Sequence, residues 1–438
     1  MTTLLQALVV NSGGREAALV RSALSGCSIT EIDAPLVVES RWVDLEAGFA
    51  ASGRRFDIIV HCPLGASDAA GVEREILSAW LTAKYANRVC AEGEPTLLTI
   101  TRENLDVPAI DADAAANAIR VATQAAMLDA SARKVRLRSN RLAIPAGAEE
   151  ALVIETVRAL CDARASFVAG ADLFLGTRSA QRFTRSLTGK AVLVTGATSG
   201  IGRASAIEIG REGGWVAIGG RKPDLAAETL ALVREAGGDG CFIPLDVTDA
   251  AAWADAARVI AAERGALHGL VNNAGEAKNL PIDELDAGVP QFLVNLNYGG
   301  CRMGMDAMLD LLAAGQGSVV NVASVAGMRA GFGGSAYGAS KAAMIGLSKS
   351  YARVIAGPRG VRVNAVQPGL IWSDSVADSL GEEGAQRFRL AIEGKTPIGR
   401  VGTPDEVGRF IAFLVSDAAG ALTGQAIPIS GGLELVHP

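Results

Sequence analysis

"KAVLVTGATSGIGRASA", residues 190–206, decides the fold. It opens on a β-branched apolar run, passes through glycines and small hydroxyl residues from Thr195 to Gly202, and continues into helix formers. A strand that feeds a helix through a G-x-x-x-G-x-G turn is the setting a phosphate-binding loop needs. Gly196 allows the sharp turn, Gly200 lets the backbone approach a pyrophosphate, and Gly202 lets the helix pack on the sheet. Thr198, Ser199 and Ile201 fill the turn between them, and the phosphates are expected at the positive helix N-terminus.

Working outward, the same alternation recurs through the second half. "WVAIGG" (215–220), "CFIPLDV" (241–247), "GLVNNAG" (269–275), "SVVNVAS" (318–324), "VRVNAVQPG" (361–369) and "AIPISGG" (426–432) are short β-rich runs separated by helical stretches. That is the pattern of a doubly wound parallel sheet. The first half echoes it: "LQALVVNSGGREAALV" matches the opening stretch with a shortened turn. "FDIIVHCPLG" (56–65) stands for "LHGLVNNAG", "PTLLTITRE" (95–103) for "GSVVNVASV", and 159–176 for 413–431. The repeated order predicts an internal duplication, hence an α/β chain with two Rossmann-like domains in tandem. The expected division is a degenerate Rossmann- or flavodoxin-like domain at 1–176, a polar linker at 177–187, and a complete domain at 188–438.

Composition agrees. The 438 residues allow two domains, and 49% apolar against 20% charged residues supply ample core. A net charge of −6 argues against a general nucleic-acid binder. No apolar run reaches membrane-spanning length, and the start, "MTTLLQALVVNSGG", reads as a first strand without the basic segment of a secretory signal. The six cysteines are scattered with no C-x-x-C and no nearby His, which points to reduced thiols, a cytoplasmic location and no metal site. Three dispersed His residues leave little for a His-centred mechanism.

The second β-run of this half ends at Gly219-Gly220-Arg221-Lys222. Sites that prefer NAD carry an acid here for the ribose 2′-hydroxyl. This chain has Gly220 and then two cations, and Arg221 offers a planar fork of donors to a 2′-phosphate, so NADP(H) is expected over NAD(H). Asp246 and Val247 end the third run, near an adenine. Asn273, Ala274 and Gly275 end the fourth and line the cofactor.

"SAYGASK" (335–341) sets Tyr337 and Lys341 one helical turn apart on one face. Taken with "TGATSGIG", "NNAG", "VN" at 294–295, Ser324 and "PGLIWS", in this order and spacing, it resembles the short-chain dehydrogenase/reductase family over roughly 188–438. "PIGRVGTPDEVGRFIAFLVSD" (397–417) and "TGQAIPISGG" look especially like bacterial 3-oxoacyl-thioester reductases. The resemblance implies a catalytic set of Asn295, Ser324, Tyr337 and Lys341. Tyr337 would give the proton to a carbonyl oxygen, Ser324 would hydrogen-bond that oxygen, and Lys341 would lower the phenol pKa from about 10 and bind the nicotinamide ribose. Asn295 would hold a relay water. Pro368, Gly369, Ile371 and Ser373 would touch the cofactor, Trp372 either faces substrate or is core, and 373–400 would form a substrate lid.

Aligned on this plan, the first half has lost the chemistry. Arg102 falls where Ser324 falls, Asp113 at the Tyr position and Asn117 at the Lys position, so neither hydride transfer nor a tight dinucleotide site is expected there. The extra lobe is expected to take one partner's place in an oligomer, giving a homodimer, or to recruit a partner such as an acyl carrier protein. The leading function is an NADPH-dependent carbonyl reductase, with a 3-oxoacyl thioester as candidate substrate. The alternatives are a dehydrogenase of a cyclic or aromatic secondary alcohol and a non-catalytic NADPH-binding scaffold.

Overall fold

A computed structural model of the chain describes all residues except 1–3, 12–14, 34–38, 64–68, 104–108, 133, 146, 163–166, 176–185, 287, 330–332, 373–383, 385, 388, 392 and 437–438. Two compact units result. Unit 1 comprises Met1–Ser179 with Leu390–Arg400 and Gly431–Pro438, and unit 2 comprises Ala180–Arg389 with Val401–Ser430. The expected linker at 177–187 lies mostly outside the described residues. Among the described residues no helix is long and apolar enough to cross a membrane.

Unit 1 is built on six parallel strands: β1 (Gln6–Val10), β2 (Ser28–Ile32), β3 (Ile58–His61), β4 (Thr96–Glu103), β5 (Arg138–Pro145) and β6 (Asp172–Phe174), in the order 2-1-3-4-5-6. Its helices are α1 (Arg15–Ala23), α2 (Glu39–Ala51), α3 (Ala69–Val89), α4 (Ala109–Ala132) and α5 (Glu150–Cys161). The core joins Leu8, Val10, Ile59 and Leu97 of the sheet to Trp42, Leu81, Tyr85 and Ala126 of the helices. Trp42 and Tyr85 stack with ring centroids 5.4 Å apart. Short segments of the second half complete this unit: Arg400 pairs with Glu94 through two hydrogen bonds, the Nη2 one at 3.0 Å, and the Gly431 N–H donates to the Phe167 carbonyl at 3.3 Å.

Unit 2 has seven parallel strands: β7 (Ala191–Thr195), β8 (Trp215–Gly220), β9 (Asp239–Pro244), β10 (Gly269–Asn272), β11 (Ser318–Val322), β12 (Arg362–Pro368) and β13 (Ala426–Ile429), in the order 13-12-11-10-7-8-9. Helices α6 (Gly200–Arg211), α7 (Pro223–Glu235), α8 (Ala250–Arg264), α9 (Gly288–Leu293), α10 (Gly300–Ala314), α11 (Ser335–Tyr351) and α12 (Pro404–Val415) flank them. The interior strands are buried on both faces, which is why they read as unbroken apolar runs. Caps fix where helices begin. Asp249 accepts from the Ala251 N–H at 2.8 Å, and Thr403 with Glu406 forms a capping box ahead of Pro404. Trp253 is the largest core side chain of this unit, its Nε1 donating to the Val247 carbonyl at 3.0 Å.

The two sheets share one order. Read from the other edge, unit 2 runs 9-8-7-10-11-12-13, and removing the edge strand β9 leaves the order of unit 1. Ala7 pairs with Ile58 and Ile58 with Thr96, as Val192 pairs with Gly269 and Gly269 with Ser318. Following that register, Asn11 takes the place of Gly196, His61 that of Asn272 and Arg102 that of Ser324. Asn11 and Gly196 even share a left-handed φ of 61°. Asp113 and Asn117 lie on α4.

A side chain at position 11 changes what this place can hold. In doubly wound sheets the ligand crevice opens where strand order reverses, here between β1 and β3. Asn11 Nδ2 donates to the Cys62 carbonyl at 2.9 Å and sits 3.1 Å from His61 Nε2 and 3.2 Å from Ser78 Oγ. His61 is fully buried, and its own side chain lies 3.1 Å from Ser78. Asn11, His61 and Ser78 thus form one buried polar cluster at the place where unit 2 carries its glycine turn.

Burial lowers the His61 pKa to about 3 from an ordinary value of about 6.5. The unfolded chain therefore binds this proton first. The contribution of neutral His61 to stability is complete above about pH 6.5 and is lost as the pH falls through the folded value. We expect protection from hydrogen exchange at the β1 and β3 amides to fall on acidification from about pH 7 to about pH 4, and His61→Gln to flatten that slope. An equal slope in the variant would assign the titration to another group.

Candidate active site

The crevice of unit 2 lies at its own reversal of strand order, between β7 and β10, and is held by reciprocal hydrogen bonds. Thr195 Oγ1 accepts from the Asn273 and Ala274 N–H groups, both at 3.0 Å. Asn273 Nδ2 donates to the Thr195 carbonyl at 3.0 Å and to the Gly196 carbonyl at 3.2 Å. A Cβ on Gly202 would stand 2.3 Å from the Gly196 oxygen and 2.5 Å from Asn273 Nδ2. Only glycine permits that approach, which brings the start of α6 against the turn. Ser199 precedes α6 in an extended conformation and makes no side-chain cap bond, so the first N–H groups of the helix are not consumed by a cap.

A cavity of about 800 Å³ opens over this turn. Gly196, Thr198, Ser199, Gly200 and Ile201 form its floor. Arg221, Lys222, Asp246 and Val247 line one end; Asn273, Ala274, Gly275, Pro368, Gly369 and Ile371 line the middle; Ser324, Tyr337 and Lys341 line the other. These side chains, scattered over the sequence, are thus brought to one cavity. Gly202 serves from behind, as a packing contact. Ser373 lies outside the described residues. Glu276, Ala277, Asn279 and Leu370 also line the cavity; they sit beside motifs but carry no pattern of their own.

The cavity suits a dinucleotide. The glycine turn supplies backbone donors for a pyrophosphate. Nothing bulky stands at Gly220, where the nearest atom to an added Cβ is Thr198 Cγ2 at 3.4 Å. Arg221 is three-quarters exposed and 3.9 Å from Asp246. Asp246 accepts from Thr248 N and Oγ1 at 2.9 and 2.7 Å; these bonds, with a smaller contribution from Arg221, hold its carboxyl below the ordinary range.

At the other end, Ser324 caps a short turn, accepting from the Ala326 N–H at 3.1 Å, and its hydroxyl also bonds Tyr337. Lys341 is buried. Its Nζ donates to the Val322 carbonyl at 2.8 Å and lies 5.8 Å from the centre of the Tyr337 ring. Burial lowers its pKa to about 8. Tyr337 differs from expectation. Burial raises its pKa, the Ser324 hydrogen bond only partly offsets this, and Lys341 is not among the causes. The ammonium is turned toward Val322, so the phenol is held protonated, the state a proton donor needs.

Asn295 requires a correction. It lies in a π-helical turn, Val294–Gly299, and faces solvent, accepting from Gln291 Nε2 at 2.8 Å. Asn297, two residues on, is fully buried at the centre. Its Nδ2 donates to the Glu276 carbonyl at 3.1 Å and to Ser340 Oγ at 2.9 Å, and its Oδ1 accepts from the Glu276 N–H at 3.0 Å. A Cβ on Gly275 would fall 2.7 Å from Asn297 Oδ1 and 3.4 Å from Lys341 Nζ. The wide π-turn rotates residue 297 inward and residue 295 outward. Trp372 is half-buried under the Arg389 guanidinium at 5.7 Å and is not among the cavity-lining residues.

Known proteins agree with this geometry. The family model described as enoyl-(acyl carrier protein) reductase matches residues 196–434. A 3-oxoacyl-[acyl-carrier-protein] reductase of Thermotoga maritima is 36% identical over 254 residues, covering 57% of this chain and 99% of that protein. The 2,5-dichloro-2,5-cyclohexadiene-1,4-diol dehydrogenase of Sphingobium indicum is 36% identical over 251 residues, 56% of this chain and 96% of that protein. Among solved structures, a short-chain type dehydrogenase/reductase from Mycobacterium ulcerans superposes with a TM-score of 0.54 at 33% identity, covering 57% of this chain and 92% of that one. With a matched model over more than half its length, built on the turn, sheet and cavity described above, this chain belongs to the short-chain dehydrogenase/reductase family of oxidoreductases.

Proposed function

We propose that unit 2 binds NADP(H) and reduces a ketone, with a 3-oxoacyl thioester as the substrate class. The observation that carries this reading is the meeting of a phosphate-binding turn with Tyr337, Ser324 and Lys341 in one cavity. Bound there, the nicotinamide supplies the hydride. Tyr337, held protonated, gives its proton to the carbonyl oxygen, and the Ser324 hydroxyl orients that oxygen. Lys341 Nζ lies 5.8 Å from the Tyr337 ring centre and, once turned from the Val322 carbonyl, offers its charge to the phenolate that remains. Asn297 fixes the backbone at Glu276 beside them, with its amide protons fully engaged. Gly196 to Gly202 hold the pyrophosphate, and Arg221 clasps the 2′-phosphate. The thioester reading is supported by relatives named as 3-oxoacyl-[acyl-carrier-protein] reductases. A second reading, oxidation of a cyclic secondary alcohol, is supported by relatives named as cyclopentanol and cyclohexane-derivative dehydrogenases. A panel of acetoacetyl thioesters, cyclic ketones and cyclic alcohols separates the two.

Three outcomes follow from these roles. Tyr337→Phe should lower kcat by about a thousandfold, within the range for a lost general acid, while cofactor Kd by fluorescence titration stays near the wild-type value. Loss of binding as well would mean that the substitution damaged the site. Asn297→Ala should lower kcat about tenfold or more, as expected when a buried, fully bonded amide is removed; Asn295→Ala should leave it within about twofold, as for an exposed side chain. The opposite ranking would restore Asn295 to the centre. Arg221→Ala should weaken NADPH about tenfold to a hundredfold, the loss of a charge-assisted bond, and leave NADH unchanged. Equal losses for both cofactors would contradict the phosphate assignment.

A further inference from the structure

We infer that Ser340, between the proposed proton donor and Lys341, is a positioning residue of the centre; the inference rests on the reductase reading of this site. Ser340 is fully buried on α11. Its hydroxyl has one proton, which it donates to the Tyr337 carbonyl one turn back at 2.7 Å. One of its two lone pairs receives the Asn297 Nδ2 proton at 2.9 Å. With Glu276 taking the other amide proton and giving its own N–H to Oδ1, the Asn297 amide has a single orientation. Ser340 is therefore a hydrogen-bonded link from the helix that carries Tyr337 and Lys341 to the π-turn and, through Asn297, to the Glu276 backbone. Gly275 packs beside it, where a Cβ would stand 2.7 Å from Asn297 Oδ1 and 3.4 Å from Lys341 Nζ. Without the hydroxyl, Asn297 Nδ2 loses one of its two acceptors inside a buried site, and the loop beside Lys341 loses its tie to α11. The effect passes through Asn297, because Ser340 is not among the cavity-lining residues.

The same helix provides a matched control. Ser348, two turns further along, is equally buried; it donates to the Met344 carbonyl at 2.7 Å and accepts from Asn321 Nδ2 at 2.9 Å. Neither of its partners, Met344 and Asn321, is among the cavity-lining residues. Ser340→Ala and Ser348→Ala should therefore lower Tm alike. Only Ser340→Ala should lower kcat, about fivefold to tenfold, the rate equivalent of one buried hydrogen bond, with KM and cofactor Kd unchanged. Placed on Asn297→Ala, it should add nothing further, since both act through one amide. A kcat for Ser340→Ala within about twofold of wild type, or a full further loss in the double variant, would overturn the assignment. A readout independent of turnover completes the test. Exchange of the Asn297 side-chain amide protons, followed by NMR on the full chain, should quicken in Ser340→Ala and not in Ser348→Ala. Unchanged exchange would overturn the positioning role even if no substrate were turned over, whereas absence of turnover in the wild-type chain would count against the reductase reading alone.

Discussion

Reciprocal hydrogen bonds across the β7–β10 crossing set the terms for the rest of unit 2. Thr195 and Asn273 satisfy each other's backbone and side-chain groups at the strand ends. The Gly196 and Ala197 N–H groups of the turn after β7 go to the Gly219 carbonyl at 2.8 and 3.5 Å, while the start of α6 carries no side-chain cap. Immediately after Ala274, Asn297 takes over, holding the Glu276 backbone from both sides. Cofactor cradle and proton-transfer helix thus share one rigid reference. Unit 1 shows the alternative use of the same topology. At the place of Gly196, where a Cβ would stand 3.0 Å from Ala274 Cα, unit 1 has Asn11, whose amide joins His61 and Ser78 in a buried cluster.

Much of the fold was legible because central parallel strands bury both faces. β7, β8, β10, β11, β12 and β13 all announce themselves as apolar runs ending in turn residues. β5, by contrast, carries no such signal: it opens on Arg138, Ser139, Asn140 and Arg141, which a hydropathy reading assigns to the surface. All four are buried. Ser139 donates to the Thr123 carbonyl at 2.6 Å, Asn140 bonds Val168 and Ala171 at 3.0 Å each, and Arg141 reaches Asp172 and Thr101. Their partners come from α4, β4, β6 and the loop before β6, so the compensation is tertiary and invisible to local pattern. β2 escaped for a simpler reason: it is a partly exposed edge strand.

In the site, motifs located the parts that depend on backbone shape and one-turn spacing: the glycine turn, the Tyr337–Lys341 pair and Ser324. The "VN" at 294–295 points to Asn295, whereas facing direction in this stretch is set by a π-turn that sequence periodicity does not reveal. Counting at 3.6 residues per turn gives the wrong face once the backbone widens to i→i+5 bonding. The electrostatics were likewise beyond spacing. Tyr337 and Lys341 do share a helix face, but the ammonium finds the Val322 carbonyl, and burial governs the phenol.

The central claim is that the chain moves hydride through the cavity of unit 2. It is tested most directly by following deuterium from C4 of a labelled reduced nicotinamide cofactor into product, using the full chain and a panel of 3-oxoacyl thioesters and cyclic ketones. The expected result is one deuterium at the carbinol carbon per cofactor oxidised, in a single stereoisomer, with incorporation about a thousandfold slower in Tyr337→Phe. Saturable cofactor binding with no label in any alcohol would contradict it and leave a binding protein in place of an enzyme.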